Sequence, residues 1–193
     1  LLQEQLMFKI LKKIVANLHQ LFSKIWVRIL MLSYSAQFKE IGGNVIFNPI
    51  SSVFSYKTIR LGNHVFIGGK AWFSGEVNIG NYVMFGPSVS ILGGDHEYKD
   101  LERPMFFVKE NADRCAPITI EDDVWIGANV TILKGVTIKR GSIVAAGSVV
   151  NKDVEAFSIF GGIPAKKIGE RFNIEEKEAY LKNIEEWKLQ NER

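Results

Sequence analysis

From Leu61 onward an apolar residue returns at every sixth position, as Leu61, Ile67, Phe73, Ile79, Phe85 and Ile91. After a break the same beat resumes as Ile120, Ile126, Ile132, Ile138, Val144 and Val150. A small or branched side chain sits four places after the beat. It is Val65, Ala71, Val77, Val83 and Val89 in the first run, then Val124, Val130, Val136, Ser142, Ser148 and Val154 in the second. Helices repeat every 3.6 residues and strands every two, so neither period alone produces sixes. A short strand followed by a tight corner does. Three such sides make a triangular turn of about 18 residues, and successive turns stack as parallel strands about 4.8 Å apart. A sandwich of short strands would show two-residue alternation with uneven spacing instead. The pattern predicts an all-β core, a parallel β-helix whose inward residues pile into one apolar column.

Gly62, Gly68, Gly80, Gly86 and Gly127 directly follow inward residues, which predicts either a crowded corner or a positive φ there. Upstream, Ile41, Phe47, Val53 and Ile59 keep the six-residue spacing and read as one irregular opening turn. Trp125 is expected to plug a corner of the prism.

The flanks follow another period. Within 6–32, Ile10, Leu11, Ile14, Val15, Leu18, Leu21, Phe22, Ile25, Trp26, Ile29 and Leu30 recur at helical three-and-four spacing, with lysines on the other side. Asn173 and Glu176 form a capping box that opens a short C-terminal helix, with Ile174, Tyr180, Leu181, Ile184 and Trp187 as its packed face. The chain thus divides into an amphipathic segment at 1–40, a β-helix at 41–169 and a terminal helix at 170–193. An insertion interrupts the β-helix at about 96–119.

Composition narrows the function. A formal charge of +3 over 193 residues is too mild to imply a nucleic-acid partner. Cys115 is the only cysteine, which excludes an intramolecular disulfide and suits a reducing compartment. Within 1–40 the longest uncharged stretches are 14–23 and 29–38. A spanning helix needs about 20 apolar residues, roughly twice the length of either. No secretory signal reads there, so the expected location is cytoplasmic. Residues 1–40 hold six basic residues against Glu4 and Glu40, so the segment could pack on an assembly of copies or lie on the inner membrane surface. The way Trp26, Ile29 and Leu30 run into the first coil favours packing.

The hexads, the interruption after "GGDH" and the stretch "ITIEDDVWIGANVTILKGVTIKRGSIVAAGSVVNKDVEAFSIFGGIPAKKI" together resemble the hexapeptide-repeat acyltransferases, which are left-handed parallel β-helices. The galactoside, maltose and capsular-sugar O-acetyltransferase group resembles this chain most, over about 59–169. The resemblance implies acetyl-CoA as acyl donor, no metal, a homotrimer with active sites between subunits, and a sugar or glycan acceptor.

It also implies that His96, at the head of the interrupting loop, is the general base. The chemistry agrees. An acceptor hydroxyl attacks a thioester only as its proton is removed, and imidazole, titrating near ~6.5, is suited to remove it. Glu97, Tyr98, Arg103 and Phe106 are candidate acceptor contacts on the loop. Asp95, Glu97 or a backbone carbonyl could orient the ring. By the same resemblance the donor lies against Ala128, Ala146, Asn151, Lys152 and Lys166, with the Ala128 N–H holding the developing oxyanion. Lys167 is a further candidate for the phosphates, and Gly169 stands where relatives often carry a basic residue.

Other readings stay open at this point. His96 could merely cap a coil, and His64 could reach the acceptor from a neighbouring coil. A covalent route could run through Cys115. A γ-type carbonic anhydrase on the same scaffold needs three gathered imidazoles, and this chain has only His19, His64 and His96, none closely spaced. A non-catalytic scaffold, an amino-sugar N-acetyltransferase, a serine acetyltransferase and a chloramphenicol-type enzyme are the remaining alternatives.

Overall fold

The computed structural model of the chain describes residues 2–108 and 116–191. Short strands wind into three parallel sheets that form the faces of a prism. Face A holds Glu40–Ile41, Ile59–Leu61, Val77–Ile79, Ile118–Ile120 and Thr137–Ile138. Face B holds Phe66–Ile67, Met84–Phe85, Trp125–Ile126, Ile143–Val144 and Ser158–Gly161, with Lys166–Glu170 returning antiparallel at its end. Face C holds Val53–Phe54, Trp72–Ser74, Ser90–Leu92, Thr131–Leu133 and Val149–Val150.

Strand partners sit one triangular turn apart, as in Phe66 with Met84, Trp72 with Ser90 and Trp125 with Ile143. Across the break Val77 pairs with Ile118, so the insertion loops out and the register resumes after it. All twelve predicted inward residues are at most 5% exposed, and the small positions behind them are buried as well. The two serines among these small positions stay satisfied because Ser142 Oγ donates to the Lys139 carbonyl and Ser148 Oγ to that of Ala145, each at 2.6 Å.

Crowding, not backbone twist, explains the corner glycines. A Cβ on Gly127 would lie 2.5 Å from the Ala146 nitrogen of the next coil. The left-handed φ falls two residues later instead, on His64, Tyr82 and Asp123 at the corner between faces A and B, and on Lys70, Ser88 and Asn129 between B and C.

Three expectations need correction. Val53 points outward and Phe54 inward, because Asn48 Oδ1 accepts the N–H groups of Ile50 and Ser51 in a turn that adds a residue. Val53 accordingly pairs with Trp72, one position beyond the regular turn. Trp125 plugs no corner. It stands outward on face B in register with Phe66, Met84, Ile143 and Ile159, a continuous apolar ladder whose first two members and Trp125 are about half exposed. Ile174 is exposed rather than packed.

Helix α1 spans Leu2–Ser35 and helix α2 spans Ile174–Asn191. Trp26 and Ile29 of α1 do not pack on the first coil of their own chain. Among its described side chains only Val27, Leu30, Met31 and Ser35 are half-buried, Met31 against the core. The α2 capping box forms as expected, with Asn173 N–H to Glu176 Oε2 at 2.9 Å and Glu176 N–H to Asn173 Oδ1 at 2.8 Å. The helix docks at the A/B corner, where Tyr180 Oη donates to Asp123 Oδ2 at 2.5 Å and Trp187 meets Tyr82 edge-on. Burial and that bond push the Tyr180 hydroxyl up to about 12.

Candidate active site

The repeat stops at the corner between faces C and A, and the local sequence shows why His96 is presented there. Gly93 follows the strand Ser90–Leu92, and its N–H donates to the Ser74 carbonyl at 3.0 Å. A Cβ on Gly93 would lie 2.7 Å from that carbonyl oxygen, so only glycine lets the chain press against the coil above. Two residues on, Asp95 Oδ2 meets Lys134 Nζ of the coil below at 2.6 Å. The head of the insertion is pinned from both sides, and His96 emerges exposed on the next residue.

The carboxylates beside the histidine are already engaged. Asp95 binds Lys134, and Glu97 Oε1 accepts the Lys99 N–H at 2.8 Å. Further along, Asp100 accepts the N–H groups of Glu102 and Arg103 and binds the Arg103 guanidinium at 3.1 Å. These bonds, the Glu102 N–H first, hold the Asp100 carboxyl below its usual range. Arg103 is therefore held by its own loop, while Tyr98 and Phe106 are exposed, Phe106 with its ring edge-on to Phe107. Cys115 lies outside the described residues.

The donor residues fall into two groups. Ala128 and Ala146 stack one coil apart at the B/C corner, and Lys166 opens the strand that returns beside Gly161 near the same corner. Ala128 is half-buried and Ala146 exposed, and the Ala128 N–H meets no acceptor among the described residues. Asn151 and Lys152 follow the strand Val149–Val150 and lie exposed at the C/A corner, on the His96 side. Face C separates the groups, on the order of 15–20 Å at about 3.3 Å per residue. One chain alone does not bring His96 to Ala128.

Two cations are available for anionic groups. Lys152 and Lys166 form no ion pair among the described residues. Lys167 is committed, with Nζ 2.7 Å from Glu155 and 2.5 Å from Glu170, and these bonds raise its ammonium above the usual lysine range. Gly169 pairs with Ile159 on the outer side of the returning strand.

His64 does not approach this region. It stacks on Tyr82 at 5.1 Å on the A/B corner, and its Nδ1 lies 3.5 Å from Asn44 Nδ2. Among the described residues no three His, Cys, Asp or Glu side chains gather to hold a metal. A separate cleft of about 880 Å³ lies between α2 and face A, lined by Arg60, Tyr82, Asp123, Tyr180 and Trp187. Neither the tie from Asp95 to Lys134 nor this cleft is evident from the sequence. The doubled glycine before Asp95 is the one local signal for the first.

The family described as bacterial transferase hexapeptide (six repeats) matches residues 117–152. A hexapeptide-repeat-containing acetyltransferase from Vibrio cholerae is 36% identical in a solved structure, with a TM-score of 0.64 over 72% of this chain and 78% of that one. A further structure of that protein holds acetyl-CoA. A galactoside O-acetyltransferase from Lactococcus lactis is 33% identical over 66% of this chain and 60% of its own length. A chloramphenicol acetyltransferase from Klebsiella aerogenes is 33% identical over 51% of this chain and 53% of its own. The chain thus spans little more than half the length of these two curated relatives.

Proposed function

The chain belongs to the hexapeptide-repeat acyltransferases, and from that premise we propose that it moves an acetyl group from acetyl-CoA to a hydroxyl of a sugar or glycan unit. The observation that carries the reading is the presentation of His96, exposed at the one break in the coil and pinned by Gly93 and the Asp95–Lys134 pair.

The residues fit the donor. Ala128 and Ala146 leave their corner free of bulk, so an extended pantetheine arm can lie against the backbone there. Lys152 and Lys166 have ammonium groups to spend on phosphates. Bound acetyl-CoA supplies an activated thioester carbonyl. His96 takes the proton of the acceptor hydroxyl as its oxygen attacks that carbonyl, and later returns it to the departing sulfur. The Ala128 N–H, which meets no acceptor among the described residues, is the donor for the charge that develops on the carbonyl oxygen.

His96 and Ala128 lie at opposite edges of face C, so a second copy must complete the site. The apolar ladder of Phe66, Met84 and Trp125 on face B supplies a surface for it, and a closed ring of three copies would give three equivalent sites. Exposed rings at Phe106 and Phe107 favour a second acceptor class, an aromatic drug of the chloramphenicol kind.

Thiol release from acetyl-CoA, measured against galactosides, maltose, an amino sugar, serine and chloramphenicol, separates these readings. Sugar-dependent release supports the proposal. Release with chloramphenicol or the amino sugar alone moves the acceptor, and no release with any acceptor together with no acetyl-CoA binding overturns acyl transfer.

A further inference from the structure

Helix α1 is 34 residues long, and among its described side chains only those near its C-terminal end are half-buried against the solenoid. Along the rest, Phe8, Leu11, Val15, Leu18, Phe22 and Trp26 are 47–69% exposed. At about 100° per residue these side chains share one arc, and Ile10, Ile14 and Leu21 widen it to roughly 160°. Lys9, Lys12, Lys13 and Lys24 lie outside that arc and Arg28 at its edge. The helix carries these five cations against a single acid, Glu4.

Two features decide what covers this face. A coiled-coil seam is narrower, about two positions in seven, and is flanked by charges of both signs that pair between helices. Here the apolar arc is wider and five cations face the single acid Glu4, so packing copies side by side would gather cations. A bilayer surface has neither objection. It accepts a wide apolar face rich in Phe, Leu and Trp, and anionic headgroups neutralise the lysines. Among the described residues no helix is long and apolar enough to cross a membrane, so α1 would lie along the surface.

We infer that α1 is an in-plane anchor for an anionic membrane surface, its apolar arc sunk at the headgroup boundary and its lysines against lipid phosphates and carboxylates. α1 carries this alone, whatever reaction the β-helix performs.

Co-sedimentation of the full chain with phosphatidylcholine vesicles, with and without about one-quarter phosphatidylserine, tests it. The expected result is at least about tenfold tighter binding to the anionic vesicles, weakened several-fold between about 0.1 M and about 0.5 M salt. Phe22→Asp, and separately Lys12→Glu with Lys13→Glu, should each weaken binding about tenfold while the helical circular-dichroism signal is kept. Equal or absent binding to both vesicle types overturns the inference. So does a soluble oligomer that Phe22→Asp splits while vesicle binding is nil, which assigns the face to other copies of the chain.

Discussion

Asp95 Oδ2 and Lys134 Nζ stand 2.6 Å apart, and this pair ties the residue before His96 to the first coil after the insertion. The two side chains are 51% and 30% exposed, so the pair adds less than about 1 kcal/mol to stability. Its effect should be on position. Lys134→Ala is expected to lower kcat for acetyl transfer about five- to tenfold while the melting temperature moves by no more than a degree or two. Steady-state kinetics beside a thermal melt checks both.

Trp125 and Ile126 are neighbours with opposite duties. Ile126 is fully buried in the column, so Ile126→Ala should cost about 2–5 kcal/mol in chemical denaturation. Trp125 faces outward on the apolar ladder. Trp125→Ala should leave the core intact and weaken self-association, read by analytical ultracentrifugation.

The three lysines at the end of the solenoid should separate by their partners. Lys152→Ala and Lys166→Ala are each expected to raise KM for acetyl-CoA roughly five- to tenfold with little change in kcat, as loss of one charge-assisted phosphate contact of about 1–1.5 kcal/mol would do. Lys167 is held by Glu155 and Glu170, so Lys167→Ala should leave KM nearly unchanged.

Alkaline pH should loosen α2. The Tyr180 hydroxyl is raised to about 12 from an ordinary 10.0, first by burial and then by its bond to Asp123. A raised value means the folded state holds the proton more tightly. The stabilisation is complete below pH ~10 and disappears as pH rises through about 12. Trp187 packs on Tyr82 at the same corner, so tryptophan fluorescence should report undocking in that window. Tyr180→Phe should remove the alkaline step and weaken docking at neutral pH.

The column is legible because a period of six survives any surface variation: each inward position from Leu61 to Val154 is packed against its equivalents in neighbouring coils. The six-residue count misplaces Val53 because the Asn48 turn inserts a residue without disturbing the apolar count. Trp125 is misplaced because the position before each inward residue points outward, and bulk alone does not reveal that. The division of the donor residues is partly legible. Ala128 and Ala146 are one full turn apart and must share a corner, whereas Asn151 falls at the next one. The tie from Asp95 to Lys134 is not, since its ends lie on either side of the insertion and no spacing rule links them.

The most direct measurement is sugar-dependent thiol release from acetyl-CoA by the intact chain and by His96→Ala, with donor affinity measured separately by calorimetry. General-base catalysis predicts a loss of about 10²–10⁴-fold in kcat with the donor affinity unchanged. Turnover that persists within about twofold in His96→Ala would contradict the assignment of the base.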